Sequence, residues 1–283
     1  MVYRKILIPL DGSESAELAL PLARKLAGTD TTMVLFSVCP EDELRLCRLN
    51  SAYLDVQGRM LGADGFKTVS HTEPGDLAGR IRNYVAKEAV ELVIICRQSF
   101  SDLSHEEKAL QSLVTDTCPL LVVKPGTVKP NLKKILLPLD GSIISENVVP
   151  HVIRLAQVAK AEVVLMSVSG FPEIPSDRPP AAKPSWEEYA LILMKDVREQ
   201  AGVYLERMAS MFREAGVTAV TKVVFGGVAE SIIKVSEDEV VDIIAMATHG
   251  RTGLDRWVYG SVAATVGAAT KLPILLARGS DRH

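Results

Sequence analysis

The sequence predicts an α/β protein: two tandem doubly wound, mostly parallel five-stranded sheets with helices on both faces, packed as a pseudo-dimer within one chain. Three observations lead there. Lys5-Ile6-Leu7-Ile8-Pro9-Leu10-Asp11-Gly12-Ser13 returns as Lys134-Ile135-Leu136-Leu137-Pro138-Leu139-Asp140-Gly141-Ser142. Short β-branched runs alternate with segments of helical period. The strand runs are continuously apolar rather than alternating, as in parallel sheets covered on both faces.

The repeat extends well past its first strand. Pro21 aligns with Pro150, and Leu26-Ala27 with Leu155-Ala156. Gly75-Asp76-Leu77-Ala78 and Ile81 mirror Gly226-Gly227-Val228-Ala229 and Ile232, Leu92–Cys96 mirrors Ile243–Met246, and Pro119–Val123 mirrors Pro273–Leu276. A unit of about 130–150 residues is too long for a solenoid repeat. The turn-rich Pro125-Gly-Thr-Val-Lys-Pro130 marks the boundary, so the expected domains are 1–127 and 131–283.

In the second copy the strands are expected at 134–138, 162–168, 219–225, 241–246 and 273–276. The helices are expected near 145–159, 186–215, 228–238 and 259–269. The Pro-rich stretch 171–184 reads as a surface loop, with a lid over the neighbouring site as the alternative; Ser185 then caps the helix that follows. Each domain ends in a short apolar strand. An unpaired apolar edge invites aggregation, and pairing it with its twin removes the hazard.

Composition narrows the function classes. The net charge is −3 with no run of Lys or Arg, which argues against non-specific nucleic-acid binding. No apolar stretch approaches the ~18–20 residues of a membrane span, and the N-terminus has no signal-peptide anatomy, so a soluble cytoplasmic protein is expected. The cysteines Cys39, Cys47, Cys96 and Cys118 match no CxxC pattern and read as buried or part-buried free thiols, with a redox role as the alternative.

In open parallel sheets ligands bind beyond the C-terminal ends of the strands. After the first strand of the second copy stand Pro138-Leu139-Asp140-Gly141-Ser142; after the fourth stand Ala247-Thr248-His249-Gly250-Arg251-Thr252-Gly253, with Gly260-Ser261 further on. Gly260-Ser261 would open the last helix, whose free amides and dipole favour phosphate, with Arg251 nearby. Neither a GxxxxGK[ST] loop nor a GxGxxG fingerprint occurs.

On these residues the chain resembles a tandem universal stress protein over nearly all of its length. ATP-binding members of that family carry G-x2-G-x9-G-[ST] after the fourth strand. Here Ala247 replaces the first glycine, and the stretch Met246 to Val262 is otherwise typical. The resemblance implies that Ala247, His249, Gly250, Arg251, Gly260, Ser261 and Val262 form the phosphate side. It places adenine and ribose on Pro138, Leu139, Asp140 and Val168. ATP is the implied ligand, with AMP or ADP as alternatives, and Mg2+ would come with the phosphates. Asp140 would accept hydrogen bonds from the ligand or, alternatively, support the following helix; His249 shapes the loop rather than serving as a general base.

The first copy fails the same comparison. Cys96-Arg97-Gln98-Ser99-Phe100-Ser101-Asp102-Leu103-Ser104 has no glycine, and Phe100 stands where Gly250 would align, so this copy reads as degenerate for ATP. The expected function is that of a stress-response, nucleotide-dependent regulator with at most weak ATPase or autophosphorylation activity. The alternative is a non-catalytic interaction scaffold. A hydrolase or ligase of related architecture would need an SGGxDS-type loop, which Pro-Leu-Asp-Gly-Ser is not. The protein partner and a further homodimer of whole chains stay open.

Overall fold

The computed structural model describes residues 2–97, 118–126, 132–171, 186–249 and 260–279. The first copy contributes β1 (Lys5–Pro9), β2 (Thr32–Cys39), β3 (Lys67–Pro74), β4 (Leu92–Cys96) and β5 (Leu120–Val123). The second contributes β6 (Lys134–Pro138), β7 (Glu162–Ser169), β8 (Ala219–Phe225), β9 (Ile243–His249) and β10 (Ile274–Gly279). All ten form one sheet, in the order β3-β2-β1-β4-β5-β10-β9-β6-β7-β8. Read inward from either edge, the two halves have the same strand order, so the fold class read from the sequence holds.

Every pairing is parallel except the central one, where β5 meets β10 antiparallel with Leu121 opposite Leu275. Both leucines are fully buried. Antiparallel contact between equivalent strands is what a local twofold axis requires, and it hides both apolar edges at once.

The helices are α1 (Glu14–Glu17), α2 (Leu20–Leu26), α3 (Leu44–Ala63) and α4 (Leu77–Glu88) in the first copy. The second has α5 (Ile143–Glu146), α6 (Val149–Ala159), α7 (Trp186–Glu214), α8 (Val228–Asp238) and α9 (Ser261–Ala269). One face of the sheet is covered by α2, α3, α6 and α7 through Leu22, Leu54, Val152 and Phe212. The other is covered by α4, α8 and α9 through Ile81, Ile232 and Val266. Alternate strand residues feed the two cores, Ile6 and Ile8 to the first and Leu7 to the second. That two-sided burial is why the strands read as unbroken apolar runs.

Three expectations need correction. The helix expected over 145–159 is two helices, α5 and α6, because Pro150 lies in the first turn of α6. Proline lacks the N–H of an interior position, so the helix restarts there, and Pro21 does the same to α1 and α2. The cysteines are not four free thiols: Cys39 and Cys47 form a disulfide, while Cys96 and Cys118 are free. β9 also runs past Met246 to His249, because β10 pairs with it as far as Gly279. Most of the Pro-rich stretch 171–184, Ser185 and linker residues 127–130 lie outside the described residues.

Side chains lock the halves together. From α6, the Arg154 guanidinium donates to Glu91 Oε2 at 2.6 Å and to the Val2 carbonyl at 3.0 Å. It also lies 4.6 Å over the Tyr3 ring. Lys124, just after β5, reaches across to the carbonyls of Gly267 and Thr270 at the end of α9. An ammonium there satisfies orphan carbonyls and opposes the negative end of the helix dipole.

Candidate functional site

The site is built from five chain segments at the C-terminal ends of the second copy's strands. Beyond β6 the Leu139 amide continues the ladder to the Met166 carbonyl at 2.7 Å, and then the chain must turn. Gly141 makes the turn at φ +82°, a region that a side chain disfavours. Asp140 Oδ1 accepts from the Ser142 amide at 2.9 Å and from the Ser142 hydroxyl at 2.6 Å. Ser142 in turn caps α5 by accepting from the Ser145 amide at 3.1 Å.

Burial pushes the Asp140 carboxyl up, but the hydrogen bonds from Ser142 and Ser145 outweigh it and hold the group below the usual carboxylate range. Asp140 is therefore an anion and an acceptor at neutral pH. The first copy has the same turn. Asp11 Oδ1 takes the Ser13 amide and hydroxyl at 2.9 and 2.6 Å, and Gly12 sits at φ +86°. Asp140 thus has a structural duty in the turn whatever else it binds.

A cavity of about 210 Å³ opens beside this turn. Pro138, Leu139 and Asp140 line it from the end of β6 and the turn that follows, Val168 from β7 and Ala247 from β9. Gly260, Ser261 and Val262 line it from the start of α9. Gly260 is the N-cap, so no cap side chain covers the first amides of α9, and no acidic residue lies in its first turn. Uncapped amides with the positive end of the helix dipole suit an anion. Val168, Leu139 and Met246 add an apolar wall suited to a flat ring.

Not every expected residue can be placed. His249 ends β9, paired with Gly279, and its side chain is outside the described residues, as are Gly250 and Arg251 altogether. Sequence reasoning missed Ser142, Ile144, Ser145, Val228, Ile232, Met246 and Ala263, which also line the cavity. One signal was available for Val228. It follows Gly227, where the first copy has Asp76, and Asp76 caps α4 itself by accepting from the Gly79 amide at 2.7 Å. Gly227 makes no such bond; instead Glu230 folds back toward it.

In the first copy, Leu92 pairs with Ile6 as Ile243 pairs with Ile135, so Cys96 stands at the position of Ala247. Burial pushes the Cys96 thiol up, against the lowering effect of a hydrogen bond with Ser15. Counting on from that register, Ser99 rather than Phe100 is the counterpart of Gly250, which corrects the expected alignment; both fall within 98–117, outside the described residues. Among the described residues no group of three or more His, Cys, Asp or Glu side chains could hold a metal ion, and no helix is long and apolar enough to cross a membrane.

The profile of the universal stress protein family matches residues 131–278. The chain belongs to the universal stress protein family. Two family members from Methanocaldococcus jannaschii agree. Universal stress protein MJ0531 is 34% identical over 149 residues, covering 52% of this chain and 82% of that protein. Universal stress protein MJ0577 is 31% identical over 153 residues, covering 52% of this chain and 94% of that protein. Similarity over the whole chain comes from solved structures. A universal stress protein from Archaeoglobus fulgidus superposes with a TM-score of 0.68 at 14% identity, covering 98% of this chain and 97% of that one. A functionally unknown protein from Pseudomonas aeruginosa, PA1789, superposes with a TM-score of 0.69 at 20% identity, covering 99% and 94%. At such identities these two similarities speak for the fold alone. They extend the universal-stress-protein fold to both halves, in keeping with a tandem protein.

Proposed function

We propose that this universal stress protein binds one adenine nucleotide per chain in its C-terminal domain and acts as a nucleotide-dependent regulator. ATP is the first candidate, with ADP and AMP as the alternatives, and magnesium would arrive on the phosphates. One observation carries the reading: eight residues singled out in four separate segments share one cavity, which contains both the anionic Asp140 and the uncapped start of α9. The apolar wall suits adenine, Asp140 suits ribose hydroxyls or the exocyclic amine, and the amides of Ser261 and Val262 suit phosphate. His249, Gly250 and Arg251 belong to the same proposed phosphate side. The N-terminal domain is proposed as a structural partner without a nucleotide of its own, since Cys96 replaces Ala247 and Asp76 replaces Gly227.

A second reading, an interaction scaffold, draws on the matching turns of Asp11 and Asp140, which need no ligand to explain them. Calorimetric titration with ATP separates the two readings. The expected result is close to one ATP per chain, lost in Gly260→Val and kept in Asp11→Ala. A Cβ branch at the helix start would obstruct approach to the amides. Two equivalent sites, or unaltered binding in Gly260→Val, would overturn the assignment. Absence of binding by the folded protein would favour the scaffold.

A further inference from the structure

The disulfide has no part in the nucleotide reading. Cys39 is the last residue of β2 and is 2% exposed, while Cys47 lies early in α3 and is only partly buried. Their Cα atoms are 5.2 Å apart, within the span a disulfide requires. The fold itself does not demand the bond. Strands β2 and β7 pair in the same register with β1 and β6, and Ser169 occupies the place of Cys39 in the second copy.

The segment that the bond tethers has little else to hold it. Residues 40–46 are all exposed. Glu43, the N-cap of α3, makes no side-chain cap bond, and the first turn carries no acid. The backbone bonds there are short-range, from Glu43 to Pro40 and from Leu46 to Glu43. Among the described residues, two polar side-chain contacts tie the region to the rest of the fold: Asn50 Nδ2 to the Val38 carbonyl at 3.3 Å, and Arg80 to Glu41 at 3.7 Å across exposed side chains. Leu44, Leu46 and Leu49 bury little, being 67%, 37% and 59% exposed. Segments with few buried apolar contacts open at low cost. With the bridge intact, α3 cannot fray back past Cys47.

We propose that Cys39–Cys47 is a thiol–disulfide exchange site, worked by a dithiol reductant and its disulfide, which controls the order of the first turns of α3. In the reducing direction a reductant thiolate attacks Sγ of Cys47, the less buried of the two residues. The Cys39–Cys47 bond breaks, Cys39 leaves as a thiolate that takes a proton, and a mixed disulfide remains on Cys47. The second reductant thiol attacks its partner sulfur in that mixed disulfide and releases Cys47, which is protonated in turn. Two electrons and two protons pass to the protein, and the reductant departs as a disulfide; oxidation is the same sequence reversed. The buried Cys39 sulfur stays close enough to re-form the bond.

The test uses the full chain and no nucleotide, so its outcome is independent of the proposed ligand. The protein is equilibrated in mixtures of reduced and oxidised dithiothreitol, quenched in acid, alkylated in denaturant and weighed. The expected count is two alkyl groups after oxidation and four after reduction, with the same sheet signal by circular dichroism. Trypsin then reads the local order, because Arg45 lies in the tethered segment and Arg48 directly follows Cys47 in the first turns of α3. Cleavage after them is expected to be about tenfold faster in the reduced protein. Cys47→Ser is expected to cleave at the fast rate under both conditions. Four alkyl groups under oxidising conditions, a bond that resists the reductant in the folded protein, or equal cleavage rates would overturn the proposal. The wild-type comparison decides the matter without any variant, so a misfolded Cys47→Ser leaves the conclusion intact.

Discussion

Replacing Arg154 with methionine should weaken the union of the two halves by about 2–3 kcal/mol. The substitution keeps the aliphatic stem and deletes the guanidinium. Lost with it are the 2.6 Å bond to Glu91, the 3.0 Å bond to the Val2 carbonyl and the stacking over Tyr3 at 4.6 Å. A hydrogen bond to a charged group contributes roughly 1.5–3 kcal/mol net and a part-buried cation–π contact about 1, and such contributions do not add in full. Both ion-pair side chains are about a quarter exposed, so solvent screens the pair only in part. The loss should stay below the ~3–5 kcal/mol of a fully orphaned buried charge. The reason is that Glu91 keeps the Arg4 amide, which donates to the same oxygen at 2.6 Å. Urea unfolding of the four proteins in a cycle with Glu91→Gln measures the coupling, expected at about 1–2 kcal/mol. A total loss under about 0.5 kcal/mol, or strict additivity with Glu91→Gln, would refute the argument that this cluster clamps the halves.

Other outcomes follow from single residues. Leu121→Glu or Leu275→Lys puts a charge at the centre of the sheet, where both positions are fully buried, and should leave only separated or aggregated halves; gel filtration of soluble full-length variant with native stability would contradict this. Lys124→Met should cost about 1–3 kcal/mol by stripping Gly267 and Thr270 of their donor, and a neutral result in urea would show that those carbonyls find other partners. Asp140 has a depressed native pKa, so its contribution is present above the ordinary carboxylate range and disappears as pH falls through the native value. Because solvent still reaches this part-shielded group, that contribution should be under about 1 kcal/mol, and Asp140→Asn should remove this part of the acid limb when stability is followed against pH.

The duplication was legible in the sequence because Lys5–Ser13 and Lys134–Ser142 nearly coincide, and a strand with its exit turn is a local object. The boundaries of α8 and β6 match their expected limits, since each is set by neighbouring residues. The single helix expected over 145–159 is two helices because Pro150 restarts the helix, a signal that is itself local. On the candidate site, the residues after β6 and at the start of α9 stood out through glycine, proline and aspartate. Ser145, Ile144 and Val228 did not, because a serine or valine on a helix carries no mark of the cavity it faces. The bond between Cys39 and Cys47 escaped for a similar reason: an eight-residue spacing matches no motif, and only the return of α3 over the end of β2 brings the sulfurs together.

By itself, then, the sequence determined the repeated unit, its alternation of buried strands and helices, and the loops where a ligand could sit, since periodicity and turn chemistry act over a few residues. The pairing of the two terminal strands was also legible, and β5 does lie against β10. Only the tertiary structure decided that Arg154 reaches Glu91 and that Lys124 caps a helix 143 residues further along the chain. Those contacts depend on how two separately wound sheets meet, and the geometry of that meeting is written in no local stretch of either copy.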